Sequence, residues 1–247
     1  MAHSTVRPAT LPDRPPMPSL GRAVMVEESL MNDAQRSTTR RLALAGIVFP
    51  PLWLVVLIVL GFVKPGFNQL TQAGSSESIG QYGWVQIANF IVLGVALVVF
   101  AFGLWRGFGD RLSGRIGSVL MAIAGVSLVG SGVFVADGGN RAVSFHGNMH
   151  MTFSLFLFLS LLIAGFVYAR RFWDDHRFAI YSIATALVIP ASFLLTFVIP
   201  PGLSQRVMLI ILWTWITVLG LRLRKSSAAA SAGSHSGSQA ASLEPGG

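Results

Sequence analysis

Six long apolar runs, near residues 42–63, 84–105, 116–136, 147–169, 179–200 and 205–222, alternate with short polar loops. None carries an acidic or basic side chain through its central turns. About 20 helical residues cross a hydrocarbon core of ~30 Å. The pattern therefore predicts an all-α, polytopic membrane protein, a six-transmembrane-helix bundle occupying residues 41–224. Residues 1–40 read as a disordered head and 225–247 as a disordered tail. Pro8, Pro12, Pro15, Pro16 and Pro18 keep the head's start irregular, and no apolar stretch there fits a cleavable secretory signal. A short helix fits residues 22–38, where Val24, Leu30 and Met31 give a thin apolar face, more a solvated tether than a membrane-surface element. The tail is Ser, Ala and Gly with little else.

The polar positions orient this bundle. Arg106, Arg111 and Arg115 share one loop with Asp110, and Arg170, Arg171 and Arg177 share another. Six head arginines together with Arg222, Arg224 and Lys225 lie on the same side, which holds fifteen of the eighteen basic residues. Only Lys64, Arg141 and Arg206 fall on the other. Cytoplasmic loops collect Lys and Arg, so both termini are expected in the cytoplasm, N-in and C-in.

Composition changes this picture little. With 53% apolar and 11% charged residues, the chain is far from the roughly 25% charge of soluble domains. The net charge of +8 is scattered over helix ends, where orientation and anionic lipid headgroups account for it and nucleic acid is not needed. The absence of cysteine excludes disulfides, thiolate metal sites and cysteine nucleophiles. Sixteen arginines against two lysines point to a GC-rich bacterial genome, and hence to a bacterial cytoplasmic (plasma) membrane.

Within the spans, Pro50-Pro51 and Pro190 predict kinks in the first and fifth. The third span is crowded with small residues, and the pairs Ser118/Ala122 and Ser127/Ser131 place small side chains on one face. Close backbone approach binds helices in lipid, so this span is expected at the centre of the bundle, with a homodimer seam as the rival reading. Tyr82, Trp84, Trp105, Tyr168, Trp173 and Tyr181 sit at helix ends, at headgroup depth. Trp53, Trp213 and Trp215 lie deeper and need partners for their N–H groups inside the bundle.

Ion pumps place ionisable side chains inside the bilayer; these six cores hold none, which disfavours ion-coupled transport. A small-solute transporter would need a continuous polar cavity past Pro50 and Pro190. Asn89 reads as interhelical glue. Candidate chemistry gathers instead at the outer end, where Asp137 closes the third span and FHGNMH opens the fourth. His146 and His150, four apart, share a helix face. With Asp137 they supply the ligand count of a catalytic zinc site with an open fourth position. The plainer alternative is a hydrogen-bonded cap with the histidines at the interface, and no cofactor at all. Glu77 is a further acid on that face. Arg206 enters the sixth helix at similar depth, so Asp137, His146, His150 and Arg206 form either an ion-paired plug or a site for an anionic lipid headgroup. On the inner side, Asp174, Asp175 and His176 among arginines read as a solvated charge network. No phosphate loop, nucleophile elbow or zincin motif is present.

Three stretches in order, GWVQIANFIVLGVALVVFAFGLWR (83–106), GSGVFVAD (130–137) followed by HGNMH (146–150), and GLSQRVMLIILWTW (202–215) leading to LRL, resemble domain-of-unknown-function family 998, a group of bacterial and archaeal membrane proteins. The resemblance covers roughly residues 42–224 and implies a six-helix fold without an established activity or cofactor. By position, Asn89, Asp137, His146, His150, Gln205 and Arg206 match the family's polar pattern. Glu77 does not, because the family segment there is plainer. The functional expectation is a non-enzymatic, lipid- or partner-binding membrane protein. A metal-dependent hydrolase acting on lipid at the outer face, with zinc on Asp137, His146 and His150, is the alternative from another class.

Overall fold

A computed structural model describes residues 20–138 and 143–242. The head prolines, Arg141 and the last five residues lie outside the described residues. Six helices follow one another: α1 (Leu20–Val63), α2 (Gly83–Phe108), α3 (Leu112–Val133), α4 (Phe145–Arg171), α5 (His176–Leu195) and α6 (Pro201–Ser242). A short 3-10 helix, Gly74–Ser78, interrupts the α1–α2 loop. All six helices are long and apolar enough to cross a membrane, and the chain is an all-helical, multi-pass membrane protein among its described residues.

α1 ends at Val63 as expected, α3 and α5 stop at Val133 and Leu195, short of the expected 136 and 200, and two helices overrun their spans. α1 is continuous from Leu20, so residues 20–40 of the expected head are helical. α6 runs on to Ser242 through most of the expected tail. A helix already nucleated in the membrane extends without a second nucleation cost, and the tail's alanines favour that extension. Val24, Leu30 and Met31 are exposed, as a tether requires. Pro50, Pro51 and Pro190 sit inside α1 and α5 without interrupting either helix.

The helices form a closed ring in chain order. Each packs on its neighbours, α6 closes onto α1, and α2 also touches α6 across the ring. Glycines set the closest approaches. A Cβ on Gly94 would stand 2.7 Å from the Gly125 carbonyl oxygen, and one on Gly125 would stand 2.6 Å from that of Gly94, so α2 and α3 meet backbone to backbone. Gly117 and Gly130 receive the rings of Tyr168 and Phe153 from α4. The small residues of α3 thus seat it between α2 and α4 rather than at a bundle centre, which a ring does not have.

The half nearer the termini is filled solid. Phe100, Tyr168, Trp215 and Leu223 are buried there, and Leu223 packs where Gly103 and Gly107 leave room on α2. Tyr168, expected at an interface, is core. Trp53, Trp213 and Trp215 are buried as expected, but only Trp215 finds a partner, donating its indole N–H to Ser182 Oγ at 3.0 Å. Arg171 pairs with Asp110 at 2.8 Å, and Arg222 pairs with Asp175, which also caps α5. The charge network expected at this end therefore ties the loops to α4 and α6. α5 packs mainly on α4 and α6, and the half away from the termini holds a cavity.

Candidate functional site

That second half encloses a cavity of about 760 Å³, within the range of small-molecule sites. Its floor is Trp53 of α1, Phe90 of α2 and Trp213 of α6, with the two indoles edge to face at 5.5 Å. Ser131 of α3 and His150 and Ser154 of α4 make a polar patch on a largely apolar wall, which Ser75, Thr152, Ser192, Thr196 and Gln205 also border. No Asp, Glu, Lys or Arg borders it. The cavity opens sideways between α4 and α5. Leu155 and Phe193 border it and are 64% and 59% exposed, and Met151 and Leu159 continue the rim. The mouth is thus rimmed by exposed apolar side chains of two helices long and apolar enough to cross a membrane. Pro190 borders the cavity from α5.

His150 explains the polar patch. It is 6% exposed, and its Nδ1 lies 2.9 Å from both the Ser131 and Phe134 carbonyl oxygens. These carbonyls belong to the last turn of α3, where helix geometry leaves acceptors without intrahelical donors. Only a protonated Nδ1 can serve two acceptors, so a neutral ring carries its lone pair on Nε2. Ser131 Oγ and Ser154 Oγ stand 3.4 Å apart.

The rest of the expected trio does other work. Asp137 is exposed and accepts from Ser144, from the backbone N–H at Oδ2 and the hydroxyl at Oδ1, both at 2.7 Å. Ser144 Oγ accepts in turn from Gly147 N–H at 3.0 Å and so caps α4. These hydrogen bonds from Ser144 hold the Asp137 carboxyl below its ordinary value, with the charge of His146 adding to them. His146 is exposed, its ring 5.5 Å from that of Phe134. Among the described residues, no three His, Asp or Glu side chains stand close enough to hold a metal ion. Asn89 donates to the Trp53 carbonyl and to Gln86 Oε1, both at 3.2 Å, and so ties α2 to α1.

Arg206 is placed apart from this trio. It is buried in a junction between α6 and the α1–α2 loop, where Nη2 meets Glu77 Oε1 at 2.9 Å. Its Nη1 donates to the carbonyl oxygens of Gln69 at 2.6 Å, Gln72 at 2.9 Å and Gly202 at 3.2 Å. Gln205 Oε1 accepts from Gly74 N–H at 2.7 Å. Lys64 Nζ donates to the Glu77 carbonyl at 3.0 Å, the Gln81 carbonyl at 2.8 Å and that of Ile79. Glu77 is 0% exposed, and its second oxygen has no partner. Burial pushes its carboxyl up to about 7, against the opposing charges of Arg206 and Lys64. An ion-paired plug does fix helix ends here, but its acid is Glu77. The signal was arithmetic: Glu77 and Asp137 are the only acids on a face with three cations, and a buried arginine needs one of them.

The family model described as "Protein of unknown function (DUF998)" matches residues 47–222. No curated protein and no solved structure matches the chain.

Proposed function

Because the chain belongs to the DUF998 family, to which no function is assigned, we propose from its geometry that it binds an amphiphile drawn from the bilayer, without acting on it chemically. One observation carries the reading: a cavity of about 760 Å³ whose mouth lies between exposed apolar faces of α4 and α5. A molecule already in the leaflet reaches it by lateral diffusion, without crossing water. The charge asymmetry supports cytoplasmic termini in a bacterial plasma membrane, an orientation in which the cavity would serve the outer leaflet.

The test is lipid analysis of the protein purified in mild detergent, beside a Leu155→Trp/Leu159→Trp variant that narrows the mouth. These two positions are exposed, so the variant is expected to fold. The wild type should retain a defined amphiphile at near-equimolar amount, and the variant should lose most of it. Equal, unselective lipid in both would overturn the reading. Tags on both termini should report cytoplasm; a tag reporting the outer side would move the cavity to the other leaflet.

A further inference from the structure

The next question is what head group the cavity takes, and the answer rests on the binding role just proposed. In a bilayer an acyl chain is already out of water, so moving it into an apolar cavity gains little. Selectivity must come from the polar patch. Of the other polar side chains on the wall, Thr152, Ser192 and Thr196 spend their hydroxyl protons on carbonyls one turn back and Gln205 Oε1 accepts from Gly74 N–H. His150, Ser131 and Ser154 instead adjoin one another on α3 and α4 and form the patch. With its Nδ1 proton committed to the Ser131 and Phe134 carbonyls, His150 has only an acceptor left to offer, at Nε2. The two serines hold two O–H groups, and one hydrogen bond between them uses one. One hydroxyl proton remains to be donated.

One acceptor beside one donor is the complement of an alcohol, whose O–H donates while its oxygen accepts. Charge narrows the class further. No Asp, Glu, Lys or Arg borders the cavity, and Arg206 of the α6 junction is already engaged by Glu77 and three carbonyls. A phosphate or carboxylate head would therefore enter without a counter-charge, which buried sites resist strongly. We infer that the ligand is a neutral, hydroxyl-bearing amphiphile, a long-chain alcohol or a glyceride with a free hydroxyl, seated with its O–H between His150 Nε2 and the Ser131/Ser154 pair. Its tail leaves through the α4–α5 mouth.

Three probes sharing one tail test this: oleyl alcohol, its methyl ether and oleyl phosphate. Each competes with radiolabelled oleyl alcohol for the detergent-solubilised full chain. The alcohol should bind at least tenfold more tightly than either relative, tenfold being about one hydrogen bond's worth of discrimination. Ser131→Ala/Ser154→Ala, two small-for-small exchanges that leave the His150 contacts in place, should bring alcohol and ether within about threefold of each other. An ether or phosphate that competes as well as the alcohol, while the narrowed-mouth variant binds none of the three, overturns the hydroxyl assignment and leaves the cavity reading standing. Equal binding of all three by wild type and narrowed-mouth variant overturns both.

Discussion

On the face opposite the termini, the α1–α2 loop is held to α6 by buried charge, while the described ends of the α3–α4 connection are tied by neutral or exposed groups. The first junction sinks Glu77 and Arg206 out of solvent and surrounds them with backbone carbonyls. The second leaves Asp137 and His146 exposed and buries His150, whose ring nitrogen bridges the carbonyls of Ser131 and Phe134. Both close helix ends, but their failure modes differ. A buried ion pair adds little net stability when intact and costs much when half of it is removed. A solvated cap loses little, because water replaces what is lost. The charged junction borders the cavity through Gly74, Pro201 and Gln205, so it is the wall whose loss of a partner should cost most.

The largest effect that would break this contrast is at Arg206. Arg206→Ala strands a buried carboxylate and three carbonyl oxygens, so a loss of about 3–5 kcal/mol is expected, or roughly 10 °C in melting temperature. Thermal unfolding in detergent, followed by size-exclusion, reads it directly. A change of only a degree or two would mean that the junction is solvated and the contrast unfounded.

Glu77→Gln is the next test, and it adds pH. The glutamine keeps the shape and a hydrogen bond to Arg206, so roughly 1–3 kcal/mol is at stake. In the folded protein the Glu77 carboxyl lies near 7, above its ordinary 4.5. Between those values the folded state holds a proton that the unfolded chain has released. Its contribution is complete below about 4.5 and falls away as pH climbs toward 7. Wild-type melting temperature should thus decline from pH 5 to pH 8, and the Glu77→Gln variant should lack that component. Matching slopes would show that Glu77 is ionised throughout.

What the sequence made legible follows the same division between local and distant contacts. Six spans are visible because hydropathy over some twenty residues is a local property, and Trp53, Trp213 and Trp215 were placed inward by depth alone. Tyr168 was not, because its place in the core depends on the space above Gly117, some fifty residues away. His150 and Asp137 were singled out by their spacing, yet their partners are a carbonyl pair and Ser144, which spacing cannot reveal. Glu77 lies in a plain loop, and its partner comes 129 positions later. The cavity lies between six helices and has no linear signature at all.

The smallest expected effect sits at Asp137, and it is the sharpest test of the solvated side. Its partners are both on Ser144, and Ser144 keeps its own capping contact with Gly147 N–H whatever happens to the carboxylate. Asp137→Asn preserves one acceptor and removes the charge, so the melting temperature should stay within about 2 °C of wild type at neutral pH. Because the folded carboxyl is held below its ordinary value, its contribution is present above about 3.8 and vanishes only in stronger acid. The variant and the wild type should therefore be indistinguishable in slope from pH 5 to pH 8, the interval in which Glu77 makes wild type and Glu77→Gln diverge. If Asp137→Asn instead destabilised as much as Arg206→Ala, the contrast between a buried charged junction and a solvated cap would fail.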